Sequence, residues 1–158
     1  MKTRGIHYKS GYKYQYTDAE YPVMLPIAPG DEIFYYNRNT KVFPKDDQPE
    51  YIMVGPFLKL WPTGKMRILE GYAWDGPSGP AFDTPNFMVP SMVHDALYQL
   101  MRNKVLALDP YREIADEMMF QMCKDRGMCA PRAWWCKRGV RRFGEKSASI
   151  KRPIYRAP

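Results

Sequence analysis

SMVHDALYQL, residues 91 to 100, poses the chemical question of this chain. It holds one of only two histidines in 158 residues, followed at once by a carboxylate and, four residues after the histidine, by a tyrosine. A neutral imidazole can take a proton from water or a hydroxyl near neutral pH. A carboxylate on its far nitrogen would fix the tautomer and stabilise the imidazolium that forms. A second carboxylate could hold a divalent ion that polarises a carbonyl or phosphoryl oxygen. Calcium takes about six to eight oxygens, so Asp95 would need backbone carbonyls beside it. DGPSGP (75–80) is a glycine-rich loop upstream of His94 that could supply them.

The elements that must position these groups follow from periodicity. A helix from about Pro90 to Arg102 puts Val93, Ala96, Leu97 and Leu100 on one apolar stripe. Measured from Val93, His94 lies at about 100°, Tyr98 at about 140°, Ser91 at about 160° and Asp95 at about 200°. These four share one arc beside the stripe, as the wall of a cleft would. A second helix is expected from about Pro110 to Arg126, with Asp109 as N-cap and Gly127 as stop. Its stripe is Ala115, Met118, Met119 and Met122, and Asp116 stands on the same kind of shoulder as His94. The connection NKVLAL is short, so the helices should pack antiparallel and bring Asp116 to His94. A third helix, PRAWWCKRGVRRF (131–143), is basic and aromatic.

Strands are expected ahead of these helices. YPVMLPI (21–27) reads as an edge strand broken by prolines, and DEIFYYN (31–37) as another strand. Residues 51–61 and 65–74 flank a Pro-Thr-Gly turn as the arms of a β-hairpin. The expected class is α+β, with antiparallel strands at about 21–74 and helices at about 90–143. Residues 1–143 would form one domain and 144–158 an extended basic tail.

HDALY resembles the His-Asp-x-x-Tyr helix of phospholipases A2. The resemblance implies His94 as general base, Asp95 as calcium ligand, Tyr98 as support and Asp116 as the carboxylate that orients the histidine. It places Gly76 and Gly79 near the calcium loop, although the loop pattern and the cysteines of that family are not present. A second resemblance spans about residues 70 to 143. GYAWDGPSGP, HDALYQL and IADEMMF, followed by a basic helix, are similar to an uncharacterised family of small phage and prophage proteins. It implies a bacteriophage origin and adds Asp75 and Ser78 to the candidate site. Together these imply a hydrolase-type site, calcium as its ion and no organic cofactor.

A plainer reading uses the same residues. Asp95, early in its helix, would favour the helix dipole by about 0.3–1 kcal/mol. His94 would be a core histidine satisfied by Asp116, the pair acting as a staple in a phage structural or virion protein. His7, in a polar arm, and the serine of DGPSGP, outside a Gly-x-Ser-x-Gly context, are not expected to be catalytic.

Charge narrows the partners. The net charge is +7, but residues 132–158 hold nine Lys/Arg and one Glu, whereas residues 1–131 hold 15 basic and 16 acidic groups. Arg132, Lys137, Arg138, Arg141 and Arg142, with Trp134, Trp135 and Tyr155 interleaved in the basic stretch, suit nucleic acid, an anionic phospholipid surface, or a neighbouring subunit or phage structural protein. No apolar run reaches the roughly 18 residues of a membrane span. The polar N-terminus lacks the pattern of a signal peptide, so synthesis in a host cytoplasm is expected, with the virion as a further location. Cys123, Cys129 and Cys136 match no zinc motif and are expected to be free thiols.

Overall fold

The computed structural model describes residues 8–9, 14–26, 51–76 and 84–149. The strand expected at 31–37, with Ser78 and Gly79 of the glycine-rich loop, lies outside them. The architecture is α+β: antiparallel strands in two small sheets precede three helices.

The larger sheet has the order β3 (Glu20–Met24), β6 (Lys65–Leu69), β5 (Leu58–Leu60), β4 (Ile52–Val54). Period-2 alternation builds it. Tyr21 and Val23 pair across from Ile68 and Met66, and all four side chains are buried on one face. Pro22 sits in β3, which is an edge strand, where a missing ladder donor is tolerated. The Glu20–Arg67 ion pair joins the same two strands on the half-exposed face.

The expected hairpin forms over its central part, with β5 and β6 joined by a turn closed by Trp61 and Lys65. Its arms are shorter than their sequences suggest. A turn at Gly55 divides the first arm into β4 and β5, which pair with each other. A turn at Gly71 sends β7 (Ala73–Trp74) out of this sheet. There it pairs with β2 (Tyr14–Tyr16), whose other neighbour is β1 (Tyr8–Lys9).

Helix α1 spans Pro85–Arg102 and begins one turn and a half earlier than expected. The rule that proline suits the first turn holds, but at Pro85, after an extended Thr84. Pro90 lies inside the helix and gives up one backbone bond. Burial of Phe87, Met88 and Val89 along the added turn offsets that loss. Helix α2 spans Leu108–Asp125, with Ala107 rather than Asp109 as its N-cap residue. Asp109 nevertheless has extended backbone, so regular helical geometry starts at Pro110. Gly127 follows its C-terminal end.

Helix α3 spans Ala130–Ser149, six residues beyond the expected end. Gly144 and Ala148 are buried, so residues 144–149 belong to the packed helix and not to an extended tail. The main core lies between the sheets and α1, where Tyr16, Leu58, Leu60, Met66, Ile68, Met92 and Leu97 are shut from solvent. A second cluster, Phe87, Met119, Cys123, Met128, Ala133 and Cys136, ties α3 to the other two helices.

Candidate functional site

The predicted stripe of α1 is buried in full: Val93, Ala96, Leu97 and Leu100 all lie in the core. That fixes the rotation of the helix, and with it the shoulder that carries His94 and Tyr98. On α2, Ala115 and Met119 are buried, while Met118 and Met122 are only partly covered. The two helices pack against each other and meet at Asp116.

His94 Nε2 lies 2.9 Å from Asp116 Oδ1, and the Tyr98 hydroxyl donates to the same oxygen at 2.8 Å. The His94 and Tyr98 rings are 4.0 Å apart, tilted by 38°. Asp116 is fully buried and His94 is 6% exposed. Among the described residues, Asp116 Oδ2 has no hydrogen-bond partner. A carboxylate only accepts, so Nε2 carries the hydrogen and a neutral His94 presents a lone pair at Nδ1. Nδ1 faces Asp95, with its Oδ1 4.0 Å away and its side chain 31% exposed. That gap is too long for a direct hydrogen bond and suits a bridging water.

Burial pulls the His94 pKa down, but the hydrogen bond to Asp116 and the Asp95 carboxylate outweigh it and leave the imidazole above its ordinary value. The Tyr98 phenol is pushed well up by burial and by Asp116, against the pull of the nearby Arg112 guanidinium. It therefore stays a hydroxyl and a donor. Helix α3 closes this corner, for a Cβ on Gly144 would stand 2.5 Å from the Tyr98 hydroxyl.

Three expected site residues are brought together: His94, Tyr98 and Asp116. Asp95 stands beside them on the more open side. Asp75, exposed just after β7, belongs to the same neighbourhood. Both carboxylates act on the buried Tyr72 hydroxyl, which burial first and then their charges push well above its ordinary range. The tie between β7 and α1 is Trp74, whose indole donates to Ser91 Oγ at 3.2 Å while Ser91 donates to the Met88 carbonyl at 2.9 Å. Ser91, on the polar arc in sequence, is thus spent on structure.

Gly76 is buried with φ +79°, and a Cβ there would stand 2.5 Å from the Tyr14 ring. Its glycine is explained by backbone and packing, without a ligand. Among the described residues no three His, Cys, Asp or Glu side chains gather as a metal site. The calcium set implied by resemblance would also draw on residues 77–80, outside the described ones.

Sequence reasoning missed Arg112 and Tyr72. Arg112 was findable, since it lies one turn before Asp116 on the same helix face. Tyr72 gave no such signal, because its place depends on how β7 docks on α1.

The basic residues fall on α3. Arg132 donates to Thr84 Oγ1 at 3.0 Å, Lys137 pairs with Glu117, and Arg141 pairs with Glu113. Arg138 lies over the Trp134 ring, and it, Arg141 and Arg142 are exposed.

The chain matches no protein-family model, no curated protein and no solved structure.

Proposed function

We propose that the protein is a phage-encoded hydrolase of the histidine–aspartate type that cleaves esters. One observation carries this reading: His94 has Nε2 bound to a buried carboxylate that Tyr98 also holds, while Nδ1 is left toward Asp95. A water at Nδ1 gives its proton to His94 as its oxygen attacks the ester carbonyl. Asp116 stabilises the imidazolium. When the tetrahedral intermediate collapses, the carbon–oxygen ester bond breaks and His94 returns the proton to the leaving alkoxide. Asp95 orients the water. Calcium held by Asp95 and the carbonyls of Gly76 and Gly79 remains part of the proposal through the resemblance to phospholipases A2, and no step above depends on it.

The test is fatty-acid release from mixed phospholipid micelles, comparing the protein with His94→Gln, in calcium and in chelator. Release that falls about a hundredfold or more in the variant supports the proposal. No release from the folded protein rejects it. Loss of release in chelator supports the calcium set separately.

A second reading is favoured by the depth of Asp116 at the junction of three helices. The trio would then be a staple in a virion or interaction protein. That reading expects His94→Gln to lower the melting temperature, with no turnover in either protein.

A further inference from the structure

The outer face of α3 is built differently from the rest of the described surface. Trp134 and Trp135 are 53% and 47% exposed, and they are the only large aromatics so exposed among the described residues. Taken from Trp134, Arg138 lies at about 40°, Arg142 at about 80°, Trp135 at about 100° and Arg141 at about −20° around the helix. The buried Ala133 and Cys136, at about −100° and −160°, occupy the opposite arc, and the buried Gly144 and Ala148, at about −80° and −40°, lie between that arc and Arg141. One face therefore presents two indoles and, over the next two turns, Arg138 and Arg142 with the Glu113-paired Arg141 at its edge, within about 12 Å of axis.

We propose that this face docks the protein on an anionic lipid bilayer. An indole pairs an apolar body with one polar N–H, which places it at the headgroup level, and guanidinium groups bind the phosphates beside it. Nucleic acid is the competing polyanion, and the geometry disfavours it. The Arg138 guanidinium sits 5.2 Å from the Trp134 ring centroid and takes up one face of that ring, where a base would otherwise stack. A duplex groove offers edges to arginine but little to a pair of indoles. Docking does not require His94 to be active. If His94 does cleave esters, the docking surface makes membrane phospholipid the substrate class.

The experiment is co-sedimentation of the full chain with phosphatidylglycerol/phosphatidylcholine vesicles, with phosphatidylcholine vesicles alone, and with single- and double-stranded DNA measured separately. Binding is expected to the anionic vesicles only, with a blue shift of tryptophan fluorescence. Trp134→Ala/Trp135→Ala should weaken it roughly tenfold or more. Arg138→Gln/Arg142→Gln should cost roughly fivefold per cation, and Arg138→Lys/Arg142→Lys should retain most of it. All are exposed positions, so unchanged melting temperatures check the fold. DNA binding without vesicle binding, binding to neither, or vesicle binding indifferent to these substitutions overturns the proposal. Turnover is not read, so an inactive His94 leaves the result standing.

Discussion

His94 and Tyr98 both lean on a single carboxylate oxygen, and that makes the histidine titration a direct readout of the site. Asp116 opposes the effect of burial on the imidazole, so removing its charge should weaken that opposition. Asp116→Asn is expected to lower the His94 pKa, with the Asp95 carboxylate alone left to oppose burial, measured by NMR in a chain with only one other histidine, His7. If His94 is a general base it must be neutral to act, so kcat/KM should rise with pH through the raised value. Stability runs the other way. A histidine whose pKa is raised by folding contributes fully below its unfolded value of about 6.5, and the contribution is lost as pH rises through the folded value. The melting-temperature gap between the protein and His94→Gln should therefore be widest in mild acid and narrow above the raised pKa to what the neutral Nε2–H bond to Asp116 contributes. Tyr98→Phe removes one of two donors to a buried carboxylate and should cost about 1–3 kcal/mol in denaturant unfolding. At this scale the trio was legible because helical period orders His94, Tyr98 and Asp116. Arg112 was legible by the same period, one turn before Asp116, but the unpartnered Asp116 Oδ2 was not, since it depends on what that atom meets across helices.

Helix α3 contains two glycines whose replacement by alanine should have opposite signs. At Gly144 a Cβ would stand 2.5 Å from the Tyr98 hydroxyl, whereas at Gly139 it would meet no described atom within 4 Å. Gly144→Ala must displace Tyr98 or the helix itself and should cost about 1–3 kcal/mol, with the His94 titration disturbed as well. Gly139→Ala should stabilise by about 0.5–1 kcal/mol through the unfolded chain. Thermal unfolding of the two variants checks both signs, and equal effects would mean that α3 does not press on Tyr98. The existence and order of the helices were readable from apolar period, short connections and the Asp-Pro and Gly signals. Their ends were less so. Pro90 looked like a start because nothing in the local pattern tells that Phe87, Met88 and Val89 will be buried. The basic run after Phe143 looked like a tail because Gly144 and Ala148 carry no apolar signal, although their smallness is what lets the helix pack.

For the molecule as a whole, the question is whether α3 is part of the same cooperative unit as the sheets and α1. The large core joins the sheets to α1 and takes in Tyr111 and Ala115 of α2 and Ala148 of α3, while most of the buried contact of α3 lies in the second cluster, with ion pairs at the surface. Exposed ion pairs are worth about 0–1 kcal/mol each, so the cluster decides the matter. It contains two of the three thiols. Cys123 is pushed up to about 12 by burial and its neighbour Cys136, and burial raises Cys136 also, whereas Cys129 is exposed. Thiolate is the reactive form, so a thiol reagent at neutral pH should modify Cys129 quickly and leave the other two. Titrating denaturant then separates two outcomes. If Cys123 and Cys136 become reactive only as the far-UV signal of the whole molecule is lost, α3 unfolds with the core, and Tyr98 and Asp116 are held by a global free energy. Reactivity at lower denaturant would mean that α3 opens alone, uncovering Tyr98 and Asp116 through a local equilibrium. The shared burial of Phe87 from α1, Met119 from α2 and Ala133 from α3 favours the first result. The α+β layering was visible in the sequence as a shift from strand to helix grammar near Trp74. This coupling was not, because it rests on side chains from three helices that meet only once the chain is folded.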